Sequence, residues 1–216
     1  LLKKAVTKTK DQSYVLYNIT KENISRVLFP IGDYDKDEVR NLARKYELPV
    51  ATKQDSQEIC FIQDNDYARF IKRISQATIK PGYFVDTKGN ILGKHEGIIN
   101  YTVGQRKGLG ISFGKPMYVV RIDSKSNQVV LGDVDDLFSR ELIAEDVNYL
   151  SIDALEEPLK VNAKIRYSAK ESPATIYPME DGKVKVIFEQ PQRAITPGQS
   201  IVFYDGDIVV GGGIIA

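Results

Sequence analysis

Cys60 is the single soft nucleophile of a 216-residue chain. It stands in Asp55-Ser56-Gln57-Glu58-Ile59-Cys60-Phe61-Ile62, where Ile59, Phe61 and Ile62 favour a buried, inert thiol. A nucleophilic role would demand a thiolate, hence partial exposure and a cation or helix N-terminus to lower a pKa near ~8.5. Residue types leave both readings open. One cysteine cannot close an internal disulfide, and with His95 as the one histidine a structural zinc site of Cys and His ligands is excluded. His95 ends an expected strand without a partner at catalytic spacing, and it reads as structural or surface. Gly104-Gln105-Arg106-Lys107-Gly108-Leu109-Gly110 sets flexible amides beside two cations, a composition suited to an anion. It matches neither a Walker A loop nor a dinucleotide fingerprint, so a basic turn against RNA or a plain glycine-rich connection is expected there, not a nucleotide site. Tyr101, Tyr118, Tyr167, Tyr177 and Tyr204 could stack bases, although alternating strands bury aromatics routinely.

The charge pattern refines this. A formal net charge of +1 does not announce a nucleic-acid binder, yet Lys80, Lys88, Lys94, Arg106, Lys107, Lys115 and Arg121 face only Asp86 and Glu96 in one stretch. The stretch from Asp133 to Glu157 is acidic except for Arg140. One basic face is therefore expected, against the alternative of solvated charges that balance overall. No run approaches the ~18 apolar residues of a membrane span, and Leu1 to Lys10 has no signal-peptide core, so a cytoplasmic protein without membrane contact is expected.

Elements must position these residues. Asp11 could cap a short helix through Tyr17. Asp35 and Glu38 have capping-box spacing, Val39, Leu42, Ala43 and Tyr46 recur at helical intervals, and Leu48-Pro49 should end that helix. A further helix fits Asn65 to Ser75, with Tyr67, Phe70, Ile71 and Ile74 on one stripe, and Thr52 to Phe61 reads as a loop between the two. After Lys80-Pro81-Gly82 the period changes to short strands. Tyr83 to Asp86 with Ile91 to Lys94, and Met117 to Ile122 with Gln128 to Leu131, suggest hairpins. Val161 to Tyr167, Ala174 to Met179, Lys183 to Phe188, Ser200 to Tyr204 and Ile208 to Ile215 suggest five or six antiparallel strands of a small barrel, with Gly211-Gly212-Gly213 as a closing kink.

Six ordered blocks resemble one family, the tRNA-specific 2-thiouridylases: Lys10-Asp11-Gln12-Ser13-Tyr14 with Val15-Leu16-Tyr17, Leu28-Phe29-Pro30-Ile31-Gly32, Asp55 to Ile62, Tyr101 to Gly110, Ala194 to Ser200, and Gly211 to Ile215. The resemblance runs nearly end to end. It implies an α+β, mainly β chain: a helical remnant of an α/β catalytic domain over residues 1–76, a small central β domain over 77–138 and a C-terminal antiparallel β barrel over 139–216.

It also implies an enzyme that adenylates the wobble uridine of certain tRNAs with ATP and delivers sulfur from a cysteine persulfide. Cys60 matches the sulfur-carrying cysteine, which in the family can pair in a disulfide with a second, upstream cysteine absent here. Lys10, Asp11 and Gln12 match tRNA contacts beside the target base, and Arg166, Tyr167 and Gln199 match tRNA contacts in the barrel. The family's ATP-binding Ser-Gly-Gly-x-Asp-Ser loop is also absent, so the chain reads as the C-terminal portion of an enzyme whose ATP site lies in a missing N-terminal region, inactive alone. The partners implied are tRNA and a sulfur-donor protein that delivers the persulfide. Ser168-Ala169-Lys170 departs from the more basic or amide-bearing continuation of some relatives, and Glu58 stands where some have glycine. Two other classes compete: a stand-alone, non-catalytic RNA-binding module with Cys60 as a core thiol, and, by fold analogy alone, a β barrel that docks a protein.

Overall fold

The chain folds as four short helices followed by β structure, in a computed structural model that describes residues 1–7, 11–52, 67–74 and 79–216. The helices are α1 (Ser13–Leu16), α2 (Lys21–Ile24), α3 (Lys36–Lys45) and α4 (Tyr67–Ile74). The strands are β1 (Gly82–Val85), β2 (Ile91–His95), β3 (Tyr118–Asp123), β4 (Gln128–Gly132), β5 (Phe138–Tyr149), β6 (Leu159–Lys164), β7 (Ser172–Pro178), β8 (Val184–Arg193), β9 (Ser200–Asp205) and β10 (Ile208–Ile215). By contacts the chain divides into two compact units. One comprises Leu1–Lys53, Arg140–Gln192 and Thr196–Ala216, the other Gln54–Ser139 with Arg193–Ile195.

α3 begins as its sequence dictates. Asp35 Oδ1 accepts from the amides of Asp37 and Glu38 at 2.9 Å each, and Glu38 returns a carboxylate to the Asp35 amide at 2.7 Å. It ends earlier than Leu48-Pro49. Glu47 takes a left-handed φ of 52°, and the amides of Glu47 and Leu48 bond back to Arg44 and Ala43 at 3.0 and 2.9 Å, a Schellman closure that needs no proline. α4 occupies the interior of the helix expected over Asn65 to Ser75, but Ile71 and Ile74 of its apolar stripe remain exposed. Asn65, Asp66, Ser75 and the loop expected over Thr52 to Phe61, Thr52 itself excepted, lie outside the described residues.

In the second unit a four-stranded sheet runs in the order β2-β1-β4-β3, with both expected hairpins antiparallel and β1 parallel to β4. The hairpin turns are fixed by Asp86, whose carboxylate accepts from the amides of Lys88 and Asn90 at 2.8 Å, and by Asp123, which accepts from Lys125 and Ser126. Phe84, Val119, Val129 and Leu131 form a core with Leu109 and Met117.

In the first unit six strands close a barrel in the order β10-β5-β8-β7-β6-β9. Sequence periodicity found five of these and missed β5, which lies in the acidic stretch. The acids form its outer face. Glu141 pairs with Lys185 of β8 at 2.8 Å and Glu145 with Lys183, just before that strand, at 3.3 Å, while Leu142 and Ala144 are buried.

β9 departs from alternation because both of its faces are covered. Val202 and Tyr204 pack with Leu2, Tyr14, Tyr17, Leu150 and Val209, leaving the equally buried Ile201 and Phe203 for the barrel interior. The first residues complete this outer layer: Lys3 bridges Ile208, and the Val209 amide donates to the Leu2 carbonyl at 3.0 Å. Gly212 leaves room for Tyr17, since a Cβ there would stand 2.7 Å from the ring and 2.6 Å from the Ile201 carbonyl. The glycine run thus serves close approach as well as the register shift of β10. Gly212→Ala should lower unfolding stability by about 1–3 kcal/mol through overpacking. Urea midpoints followed by tyrosine fluorescence check this, and an unchanged midpoint would mean that Tyr17 is not wedged against β10.

Candidate nucleic-acid interface

The site is built from the outer layer of the barrel. α1 is too short to persist alone and is held from both ends. At its C-terminal end Asn148 of β5 donates its amide to the carbonyls of Tyr17 and Ile19 at 2.6 and 2.9 Å. At its start Gln12, not Asp11, occupies the N-cap position, without a side-chain cap. The expected Asp11 cap is replaced by a wider bracket: Asp11 accepts from the amides of Ala5 at 3.0 Å and Ser13 at 3.3 Å, and from the Ser13 hydroxyl. Ser13 is buried, with its hydroxyl 3.3 Å from that of Tyr204.

Gln12 projects outward and donates its amide to the Tyr167 hydroxyl at 2.9 Å, across 155 positions of sequence. Tyr167 meets Tyr14 edge to face at 6.2 Å, and the Lys164 ammonium stands 5.8 Å from the Tyr14 centroid and 5.5 Å from that of Tyr167. Tyr14 in turn donates to the Ser200 carbonyl at 2.7 Å, and Tyr17 to the Ser200 hydroxyl at 3.0 Å. Burial, with the nearby Tyr17 hydroxyl, pushes the Tyr14 pKa up to about 12, against the downward pull of the Arg166 charge. Tyr204 is raised as well, by burial first, and the Ser13 hydrogen bond opposes this.

Of the residues singled out from sequence, Asp11, Gln12, Arg166 and Tyr167 therefore share one locality. Gln199 is exposed at the start of β9, directly before the Ser200 that Tyr14 and Tyr17 grip. Lys10 and Cys60 lie outside the described residues. Between the first residues and the end of β6 opens a cleft of 640 Å³ lined by Lys4, Asp11, Lys164, Tyr167, Lys170 and Glu171 among others. Lys4 pairs with Glu171 at 2.8 Å, reaches the Gly206 carbonyl at 2.7 Å and lies 4.5 Å over the Tyr204 ring. Sequence reasoning missed Lys4, Lys164 and Glu171. The spacing of Lys164 and Arg166, two residues apart around the buried Ile165, was the available sign of a basic strand face.

The other sequence candidates sit in the second unit. His95 is buried, its Nδ1 accepts from the Gly97 amide at 3.0 Å, and its ring meets Phe84 and Tyr101 edge to face. Burial lowers its pKa against an opposing pull from the Asn127 backbone, as befits a packed neutral imidazole. In the glycine segment the amides of Gly104 and Gln105 are taken by the carbonyls of Val119 and Thr102, at 2.7 and 3.0 Å, which does not fit a cradle for nucleotide phosphates. Among the described residues no helix is long and apolar enough to cross a membrane, and no cluster of three His, Cys, Asp or Glu could hold a metal.

Three family models match in succession: the tRNA methyl transferase HUP domain over residues 1–64, the tRNA methyl transferase PRC-barrel domain over 68–133 and the aminomethyltransferase beta-barrel domain over 139–215. The whole chain is 67% identical over 215 residues to the tRNA-specific 2-thiouridylase MnmA of Acetivibrio thermocellus. It is 63% identical to that of Clostridioides difficile, and 63% identical to MnmA 1 of a Thermoanaerobacter species. The chain belongs to the tRNA-specific 2-thiouridylase family. It spans 59–60% of the length of these three relatives. Within this family member the PRC-barrel match covers the four-stranded sheet and the beta-barrel match covers β5 to β10.

The tyrosine layer gives this thiouridylase-family chain an alkaline limit. A folded-state pKa of about 12 for Tyr14, against 10.0 for the ordinary phenol, leaves both states protonated below about 10. As pH rises from there only the unfolded chain releases the proton, so stability falls until the folded pKa is passed. Absorbance titration should find a tyrosinate forming near 12 that Tyr14→Phe removes, and urea midpoints should decline across the same window; a Tyr14 titrating near 10 would contradict the burial described.

Proposed function

We propose that this chain carries the tRNA-recognition surface and the sulfur-carrying cysteine of an ATP-dependent tRNA sulfurtransferase, which converts the wobble uridine of certain tRNAs to 2-thiouridine in the cytoplasm. The observation that carries the reading is the Gln12–Tyr167 hydrogen bond at 2.9 Å. It joins two distant segments, each matched from sequence to tRNA contacts, into one exposed locality beside a cleft lined by Lys4, Lys164 and Lys170. Relatives named tRNA-specific 2-thiouridylase, up to 67% identical over the whole chain, support the substrate and the reaction.

In this reading ATP is bound by residues outside this chain and supplies the adenylyl group that activates the uridine C2 oxygen. This chain's groups then act on the activated base. Gln12 offers an amide to the flipped uridine while Tyr167 holds the side chain, and Arg166 and Gln199 grip the strand around it. The outer sulfur of a Cys60 persulfide attacks C2 and expels AMP. A second cysteine of the longer protein then attacks Cys60 Sγ, forming a disulfide and leaving the sulfur on C2 as the thiocarbonyl. A sulfur-donor protein recharges Cys60 once that disulfide is reduced by an external thiol.

Two measurements test the proposal. Binding of tRNA to the chain should be salt-sensitive and weakened by Gln12→Ala and by Arg166→Ala; no binding at low salt would remove the recognition surface. Incubation with a persulfide donor should add one sulfur atom to the intact mass, and Cys60→Ser should abolish the gain. A chain that binds tRNA but never takes up sulfur would favour the non-catalytic RNA-binding module.

A further inference from the structure

Lys164 occupies a position that packing alone does not explain. It ends β6, on the strand face opposite the buried Ala163 and Ile165, and its ammonium lies over two tyrosine rings at 5.8 and 5.5 Å. Among the described residues no carboxylate pairs with it. The acids of the same cleft are occupied otherwise: Glu171 holds Lys4 at 2.8 Å, and Asp11 accepts from the amides of Ala5 and Ser13 and from the Ser13 hydroxyl. Lys170, also lining the cleft, is exposed and likewise has no carboxylate partner among the described residues. The cleft therefore carries net positive charge, concentrated on a lysine whose head is already placed.

We propose that Lys164, held over the faces of Tyr14 and Tyr167, binds a backbone phosphodiester of the RNA strand in this cleft, with Lys170 as a second cation at its edge. This rests on the reading of the chain as a tRNA-binding protein and names a contact beyond the residues matched from sequence. The chemistry is that of a compact point charge: an ammonium suits a phosphate oxygen and reads no base edge. The two aromatic faces restrict the side chain before binding, so less rotamer freedom is lost when the phosphate arrives. Lys164 is thus a positional, sequence-independent contact, set beside the Gln12 and Tyr167 pair.

The test is a salt series of tRNA binding with the 216-residue chain and with Lys164→Met, Lys164→Arg and Gln12→Ala. Lys164→Met keeps the aliphatic stem over the rings and should lower the slope of log affinity against log salt by about one, equally for tRNAs of different anticodon. Lys164→Arg should retain the wild-type slope, and thermal midpoints of all variants check that the barrel is intact. Where Met lowers the midpoint, Lys164→Gln replaces it. If Gln12→Ala weakens binding while Lys164→Met leaves the slope unchanged, the phosphate contact is overturned and the tRNA reading stands. If the wild-type chain binds no tRNA, both fall. Inorganic phosphate separates the remaining source: a phosphate-dependent rise in midpoint that Lys164→Met abolishes, with an unaltered tRNA slope, would assign the site to a free anion and overturn the assignment to RNA.

Discussion

The burial of β9 on both faces is the constraint from which the rest of the first unit follows. Ile201 and Phe203 fill the barrel, but Val202 and Tyr204 would expose an apolar stripe on its outside unless something covered it. The cover is supplied by residues nearly 200 positions earlier: Leu2 lies against the stripe, and the four residues of α1 bring Tyr14 and Tyr17 over it. A single helical turn has no stability of its own, so its place is set by these contacts and by the hydroxyls that reach Ser200. Gln12 directly precedes that turn. The barrel thereby decides where Gln12 points, and the segment proposed to face the tRNA is fixed by the same hydrophobic contacts that close the fold.

Electrostatics adds a second layer of selection on top of packing. Lysines distributed over the barrel are mostly neutralised where they serve the fold: Lys183 and Lys185 by the acids of β5, Lys4 by Glu171. The two exposed pairs of Lys183 and Lys185 contribute little to stability, about 0–1 kcal/mol each, but they remove competing positive charge from the surface. The cleft beside Tyr167 keeps positive charge on Lys164 and Lys170. A net charge of +1 over the chain is therefore compatible with a local anion-attracting surface, because pairing, and not composition, determines where the potential survives.

The parts of this arrangement that were legible in the sequence are those set by local rules. The α3 capping box, the two hairpins and five barrel strands follow from spacing and turn chemistry within a few residues. β5 was not legible because its outer face carries acids whose partners, Lys183 and Lys185, lie at the start of a distant strand and just before it. β9 reads as a continuous apolar run, which identifies a strand but not what covers its second face. The same holds for the site. Resemblance to a family pointed to Gln12 and to Tyr167 separately, yet no local signal could join them, and nothing local marks Lys164 among the lysines, because the Tyr14 ring beside it belongs to a distant segment.

Asp11, matched from sequence to a tRNA contact, shows how a carboxylate can be accommodated in a cleft of net positive charge. A carboxylate facing phosphates is repulsive, and leaving it unbonded beside a half-buried wall would add a desolvation cost. Here both oxygens are engaged, by the amides of Ala5 and Ser13 and by the Ser13 hydroxyl, so the charge is stabilised where it lies and directed toward the protein. The bracket ties residue 5 to residue 13 and holds Asp11 against the start of α1, with the exposed Gln12 at its outer edge. An amide in place of Asp11 would have one acceptor oxygen instead of two and could not receive all three donors in this geometry. The acid thereby aims its neighbour Gln12, which reconciles a negative side chain with the tRNA-facing surface proposed above.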